Sequence, residues 1–396
     1  MRRAEVSLAR GEDRRLRAGH LWVFSNEIDV AKTPLTSLEP GALVNVRDAR
    51  GQGIGTGYVN PHSLIAVRLL ARAPDVAIDR DFFRERMLRA KALRERFGLG
   101  PYGRMVFGEA DGLPGLVVDR YGEHLVAQVA TAGMEALRSL VQDTLVECFA
   151  PEGILYRNDL DARKLEGLPE GEAETWGTVP ERVRVEEAGL AFEVSSRHGQ
   201  KTGWFFDQRE HRSRLARLCP GQRLLDVFSY TGGFSVQALA QGAREAVAID
   251  QSEAALRLAV ENAERNQLRG LRTLLADAFD ALRELAESGE RFGVAVLDPP
   301  AFIKRKKDFR EGLLAYERLV GLTVRVLENP AFLVIASCSS HLGADELRLA
   351  FLRGVRRAGR EARIVGTGGQ GPDHPVHPAI PETGYLKVIY GLIEER

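Results

Sequence analysis

Short apolar runs broken by turn residues dominate the first half of the chain, and a regular alternation of strand and helix patterns dominates the second. Up to about Arg72, the runs 21–24, 43–46 and 64–68 are separated by Pro40-Gly41, Gly51-Gln52-Gly53 and Asn60-Pro61, which predicts a small β-rich unit. Residues 79–97 place Phe82, Phe83, Met87, Leu88 and Leu93 on one helical face, with arginines over the rest, the pattern of an amphipathic linker helix. Strand-like runs at 105–107, 116–118, 124–127 and 154–156 then mix with helical spacing over 134–149 and a hairpin of 183–185 with 190–192, an α+β module. Its polar stretch 170–177 is expected to be an exposed loop.

From Ser195 onward the apolar runs 224–228, 246–249, 272–275, 294–297 and 332–336 alternate with helical patterns at 234–239, 253–266, 280–287, 312–327 and 345–359. Such alternation predicts a parallel sheet with helices on both faces. The last two strands, 362–365 and 385–390, have only a Gly/Pro/His loop between them and should pair antiparallel. The expected organisation is a β-rich domain over 1–72, a linker helix and central α+β domain over 73–194, and an α/β domain over 195–396.

Composition narrows the function little. Lys+Arg and Asp+Glu balance at 55 each among 396 residues, so a polyanion site must be a local patch. Basic residues Arg14, Arg15, Arg17 and His20 cluster near the start, where a solvated surface is the simpler reading and RNA contact needs support from elsewhere. Three scattered cysteines, Cys148, Cys219 and Cys338, form neither a disulfide framework nor a C-x-x-C pair, which points to a reducing compartment. With no signal-like start and no apolar run long enough for a membrane, a cytoplasmic protein without membrane association is expected.

The chemistry gathers at the strand ends, where open α/β sheets bind ligands. Residues 223–250 form strand, glycine turn (Tyr230-Thr231-Gly232-Gly233), helix and strand, ending on Asp250 at the distance where nucleotide-binding folds place a ribose-binding acid. The loop lacks the full G-x-G-x-x-G spacing that brings a helix N-terminus to a pyrophosphate, which favours a ribose ligand without phosphates such as S-adenosylmethionine. Asp226, Asp250, Asp277, Asp298-Pro299-Pro300 and Cys338 occupy successive strand ends. Singly, each aspartate has a helix N-cap as its plain alternative; together they predict one crevice. Asp250 would accept the ribose hydroxyls, and Asp277 with Ala278 and Phe279 would flank an adenine. Asp298 sits in a turn that two prolines stiffen, suited to holding a flat base. Cys338, in Ser-Cys-Ser-Ser after a buried strand, is the candidate nucleophile, against the alternative of a small apolar strand end.

Ordered motifs at 198–212 (HGQKTGWFFDQREHR), 226–236 (DVFSYTGGFSV), 296–302 (VLDPPAF), 337–341 (SCSSH) and 373–387 (DHPVHPAIPETGYLK) resemble the RlmI-type methyltransferases. That family uses S-adenosylmethionine to methylate carbon 5 of a cytidine in large-subunit ribosomal RNA. The resemblance implies a Rossmann-like methyltransferase domain preceded by a PUA-like domain and a central α+β domain. It implies a cofactor set of Lys201, Asp207, Gln208, Asp226, Phe228, Tyr230, Gly232, Asp250, Gln251, Ser252, Asp277, Ala278, Phe279 and Asp298, with Cys338 adding to carbon 6 of the cytosine and Asp298 assisting. Pro299-Pro300 stand where many RNA cytosine-5 methyltransferases carry a second cysteine, so product release must proceed without one.

Lys304, Arg305 and Lys306, just after the Asp-Pro-Pro turn, are placed for RNA phosphate contact, although charge runs are commonly only solvated. Lys201-Thr202 is no phosphate loop, because Ser195 and Gln200 stand where glycines are required. His374 and His377 make an incomplete metal set, and a loop near the substrate is the preferred reading. The resemblance implies large-subunit ribosomal RNA as the partner, with a homodimer left open. The rivals are an exocyclic-amine methyltransferase using Asp-Pro-Pro, for which Cys338 is dispensable, and a non-catalytic RNA-binding assembly protein. A nicotinamide dehydrogenase is disfavoured by the glycine pattern and by the terminal antiparallel pair.

Overall fold

The computed structural model describes residues 3–159, 161–169, 171, 173–197 and 202–396. These divide into two compact units, one formed by Met1–Val183, Ser195–Trp204 and Pro372–Thr383, the other by Arg184–Val194, Phe205–Gly371 and Gly384–Arg396. The boundary drawn from sequence after residue 72 thus falls inside the first unit, whose two sheets nevertheless remain separate.

In the first unit, strands Ala4–Ser7, Leu43–Arg47, Gly53–Val59, Ile65–Ala71 and Trp22–Phe24 pair in that order. Alternate residues Val6, Val44, Val46, Val23 and Val67 fill its core together with Ile380. Helix Arg80–Arg96 starts where the Asp79 carboxylate accepts from the Phe82 amide, and it buries Phe82, Phe83 and Met87. The second sheet runs Glu174–Gly177, Gly153–Tyr156, His124–Val129, Leu116–Tyr121, Tyr102–Phe107. Glu174–Gly177, within the stretch expected as a loop, is an edge strand antiparallel to Gly153–Tyr156; Trp176 alone of its side chains packs on the core, too little for a sequence pattern to detect. The helical stretch 134–149 is two helices, Ala132–Ala136 and Arg138–Phe149, meeting at Leu137.

Buried charge in this unit is matched by geometry. Arg94 makes two 2.7 Å bonds to Asp111 and donates to the Asp373 carbonyl, and Arg104 makes two 2.8 Å bonds to Asp119. His374 is buried, bonded to Asp373 and tilted against Phe107. It is thus a buried residue of the first unit. Near the N-terminus, Arg15 pairs with Glu27, and Arg17 pairs with Asp13 and Asp48, so much of that cluster's charge is neutralised within the unit.

The second unit holds a seven-stranded sheet. Its strands are β1 (Arg223–Val227), β2 (Glu245–Asp250), β3 (Leu271–Leu275), β4 (Phe292–Leu297), β5 (Leu327–Ser337), β6 (Glu361–Gly368) and β7 (Lys387–Glu394). They lie in the order β3-β2-β1-β4-β5-β7-β6. The first five are parallel, and β7 inserts antiparallel between β5 and β6, as the missing crossover helix requires. Helices α1 (Gly233–Ala240), α2 (Glu253–Arg265), α3 (Ala278–Glu287), α4 (Phe309–Val324) and α5 (Ala344–Arg357) connect them. Leu225 and Val227 pack with Leu282, Leu319 and Val320 on one face, while Leu224, Val294 and Val296 pack with Leu215 and Phe234 on the other. Burial on both faces explains why these strands are continuous apolar runs. No helix among the described residues is long and apolar enough to cross a membrane.

Candidate functional site

The turn after β1 is held in a shape its residues would not adopt alone. Phe228 and Tyr230 have φ of 67° and 48°, the left-handed region that costs a non-glycine residue roughly 1–2 kcal/mol. The opposing bonds are local. The Phe228 and Ser229 amides donate to the Ile249 carbonyl at 2.9 and 3.0 Å, and the Tyr230 amide donates to Asp250 Oδ2 at 2.9 Å. Asn262 on α2 donates to the Thr231 carbonyl at 3.2 Å. Gly232 has φ of 78°, and a Cβ there would lie 2.8 Å from the Ala259 Cβ, so only glycine lets α2 approach the turn.

Asp226, at the end of β1, is fully buried and accepts from the Ser235 amide (3.1 Å) and hydroxyl (2.7 Å) through Oδ2. Burial pushes its carboxyl up to about 7, against the Ser235 hydrogen bonds and with a smaller push from Asp298 and Asp250. Asp226 Oδ1, Ser229 Oγ, Thr231 Oγ1 and Gln208 Oε1 are buried without a hydrogen-bond partner in the protein, an unusual concentration of unsatisfied oxygens around one turn.

The rim continues across the sheet. Asp250 also accepts from the Ser252 amide at 2.9 Å, and Asp277 caps α3 through the Phe279 (2.8 Å) and Asp280 (3.3 Å) amides while accepting from Gln251 at 2.9 Å. The plain N-cap role of Asp277 is therefore present alongside its place at the rim. The Phe302 ring lies 6.3 Å from both Phe228 and Phe279, which builds an aromatic floor beside these carboxylates. Carboxylate acceptors for ribose hydroxyls and an ammonium, flat apolar rings for adenine, and unsatisfied buried oxygens together fit S-adenosylmethionine.

Next to this floor stand the Asp298 turn and Cys338. β4 and β5 are adjacent and parallel, with Leu297 opposite Ile335, so the two segments leave the sheet side by side. The Ile303 amide donates to Ser339 Oγ at 3.4 Å, and Gln208 Nε2 donates to Asp298 Oδ1 at 2.9 Å. Tyr316 on α4 exchanges hydrogen bonds with Ser337 Oγ (2.8 Å) and Ser339 Oγ (3.2 Å), which anchors both neighbours of Cys338. Cys338 itself is partly exposed, whereas Cys148 and Cys219 are buried. Burial raises both of the latter thiols, that of Cys219 to about 12. From β7, Lys387 Nζ donates to the carbonyls of Ser339 (2.6 Å) and Tyr385 (2.8 Å), and the Tyr385 hydroxyl donates to Asp207 Oδ2.

Of the residues expected from sequence, Asp207, Gln208, Asp226, Phe228, Tyr230, Gly232, Asp250, Gln251, Ser252, Asp277, Ala278, Phe279, Asp298 and Cys338 all belong to the second unit. The strand-end members share the carboxyl rim of one sheet. Lys201 lies outside the described residues. Lys304, Arg305 and Lys306 are exposed on the segment following the Asp298 turn. Sequence reasoning assigned no role to Tyr316, Tyr385 or Lys387. Both Tyr385 and Lys387 fall inside a quoted motif, and the signal that would have singled out Lys387 is its position opposite Ser337 in the antiparallel pair.

Family models bear directly on this arrangement. One described as a PUA-like domain matches residues 6–72, and one described as an S-adenosylmethionine-dependent methyltransferase matches residues 154–343. Among solved structures, a methyltransferase-like chain from Streptococcus mutans superimposes with a TM-score of 0.82 at 18% identity, covering 98% of this chain and 100% of that one. Another, described as complexed with SAH, gives 0.83 at 19% identity over 99% and 100%. These likenesses show the fold. Ribosomal RNA large subunit methyltransferase I of Aliivibrio fischeri (strain ATCC 700601 / ES114) is 36% identical over 96% of this chain and 97% of its own. The protein of that name from Aeromonas hydrophila is 36% identical over 97% and 98%. Full-length similarity at this level, on a sheet whose rim fits the cofactor, places the chain in the ribosomal RNA large subunit methyltransferase I family of S-adenosylmethionine-dependent methyltransferases.

Proposed function

We propose that this protein methylates carbon 5 of a cytidine in large-subunit ribosomal RNA through a covalent adduct with Cys338. The observation that carries this reading is a partly exposed thiol between two anchored serines, on a segment bonded to the loop of the Asp298 turn. Carbon 5 of cytosine is a poor nucleophile until something adds at carbon 6, and a thiolate is the side chain suited to that addition.

The Cys338 sulfur donates an electron pair to form the S–C6 bond, and the C5=C6 π pair moves onto carbon 5. Asp298, held by Gln208, is the group to accept from the exocyclic amine and, when it carries a proton, to donate that proton to the ring nitrogen, where negative charge collects during addition. S-adenosylmethionine supplies a methyl group on a sulfonium, which an electron-rich carbon can take. Once carbon 5 carries the methyl, its proton leaves to a base, the C–H pair restores C5=C6, and the S–C6 pair returns to Cys338. No second cysteine is needed for that release. Asp250, Asp277, Phe228 and Phe279 orient the donor, while the unsatisfied oxygens around Gly232 await its polar groups.

A base within structured RNA must be unstacked to reach this rim. Lys304, Arg305 and Lys306 are proposed to hold the flanking phosphates, with the PUA-like segment providing further RNA contact. The test is Cys338→Ala assayed with labelled cofactor on ribosomal RNA from cells lacking the protein, paired with RNA containing 5-fluorocytidine. Loss of methylation by the variant and a stable protein–RNA adduct of the wild type are expected. Full activity without Cys338 would overturn the proposal and favour methylation of an exocyclic amine.

A further inference from the structure

A thiol must be anionic to add to cytosine, and an unassisted cysteine is largely protonated at neutral pH. We propose that Lys387 is the positioning residue that keeps Cys338 in its anionic form, acting through the charge of its ammonium. This rests on the assignment of Cys338 as nucleophile and adds the group that prepares it.

The geometry comes from the insertion of β7 beside β5. Lys387 is the first residue of β7 and pairs with Ser337, the last residue of β5, immediately before the cysteine. Its Nζ then reaches past the cysteine, two residues beyond Ser337, to the Ser339 carbonyl at 2.6 Å, with the Tyr385 carbonyl at 2.8 Å as second acceptor. Two carbonyl acceptors, one of them on the residue after Cys338, fix the ammonium there and leave one of its three protons for another acceptor. Burial lowers the Lys387 ammonium, and the charge of Cys338 raises it, so the two groups stabilise each other when both are charged.

Among the described residues, the titratable groups Tyr316, Asp298, Asp207 and His341, on this segment and on the elements packed against it, do not supply a positive charge. Tyr316, packed from α4, has its phenol raised mainly by burial, so it stays a neutral hydroxyl bonded to Ser337 and Ser339. Asp298, one residue beyond the neighbouring strand, is an anion when ionised and would oppose thiolate formation. Asp207, a carboxylate, accepts from the Tyr385 hydroxyl. His341, further along the same loop, is exposed. Among the described residues, Lys387 is thus the cation bonded to this point of the rim.

The experiment follows alkylation of Cys338 by iodoacetamide in the intact protein without cofactor, reading the Cys338 peptide by mass spectrometry across a pH series. Lys387→Gln keeps an amide donor for the two carbonyls but removes the charge, while Lys387→Arg keeps the charge. Lys387→Gln is expected to slow alkylation at pH 7 about tenfold and to move the rate midpoint upward, a modest share of the attraction between close opposite charges. Lys387→Arg should restore most of the rate. An unchanged pH profile in Lys387→Gln overturns the proposal and leaves Lys387 as a structural clamp. Should that variant misfold, wild-type protein compared in buffer and in urea decides, since a native midpoint equal to or above the unfolded one also overturns it. These readouts are independent of methylation, so retained activity in Cys338→Ala would remove the nucleophile while the alkylation series separately judges the lysine.

Discussion

Replacing Gly232 with alanine tests whether the turn after β1 is built around a position closed to side chains. Two costs follow from the geometry. At φ of 78° an alanine occupies the left-handed region, which costs roughly 1–2 kcal/mol. Its Cβ would stand 2.8 Å from that of Ala259, about an ångström inside ordinary carbon contact, and relief by shifting α2 costs roughly 1–3 kcal/mol more. Neither neighbour yields cheaply, because Asn262 on the same helix is bonded to the Thr231 carbonyl and Ala259 is wholly buried. The sum, about 2–5 kcal/mol, lowers the melting temperature of a unit this size by roughly 4–20 °C. Relief that moves the turn also disturbs the Tyr230–Asp250 bond and the buried oxygens at Ser229 and Thr231, so affinity for S-adenosylhomocysteine should fall at least about tenfold. Thermal melts with and without S-adenosylhomocysteine, together with calorimetry, read both effects. At a hundredfold excess over Kd the wild type should gain about 2.7 kcal/mol from the ligand, and the variant visibly less. A variant melting within a degree of the wild type and binding equally well would refute the close-approach reasoning.

Four further outcomes are expected. The Asp226 carboxyl is raised from 3.8 to about 7 by burial, so its contribution to stability is fully present below about pH 4 and is lost as pH climbs to 7. Asp226→Asn should remove that loss, so that its stability relative to wild type in urea titrations improves between pH 4 and 7 by on the order of 2–4 kcal/mol. Arg94→Met strands the buried Asp111 carboxylate and should destabilise the first unit by about 3–5 kcal/mol, seen as a lower urea midpoint. Gln208→Leu removes the donor to Asp298 and should slow single-turnover methylation about tenfold or more, a hydrogen bond to a charged group being worth roughly 1.5–3 kcal/mol. Neutralising Lys304, Arg305 and Lys306 together should weaken RNA binding and flatten its dependence on salt, with S-adenosylhomocysteine affinity unchanged.

Which parts of this site the sequence discloses depends on how the chain delivers each residue. Asp226, Asp250, Asp298 and Cys338 are carried to the rim by their own strands, and a buried parallel strand leaves an apolar run whose end can be found by inspection. The antiparallel arrival of β7 is equally visible, since no α-helix separates it from β6. Lys387 comes by another route. Its partner Ser337 is fifty positions earlier, and only the register between β5 and β7 brings the two together. The same holds for Tyr316, which crosses from α4 to both serines, and for Tyr385, whose hydroxyl meets Asp207 from a distant part of the chain. The errors have a matching cause. His374 sits in a motif whose residues 373–383 pack with the first unit and only 384–387 with the second, and a bond to Asp373 and a ring contact with Phe107 hold it there. The edge strand at Glu174–Gly177 forms through backbone pairing and a single apolar side chain on the core, Trp176, which is too few positions to show a period of two. Strand ends therefore disclose the reacting groups, whereas lateral side-chain bonds supply the groups that tune them. That division makes Lys387 the more discriminating residue to test: Cys338 is singled out by motif and exposure alike, while the case for the lysine stands on register and hydrogen bonding.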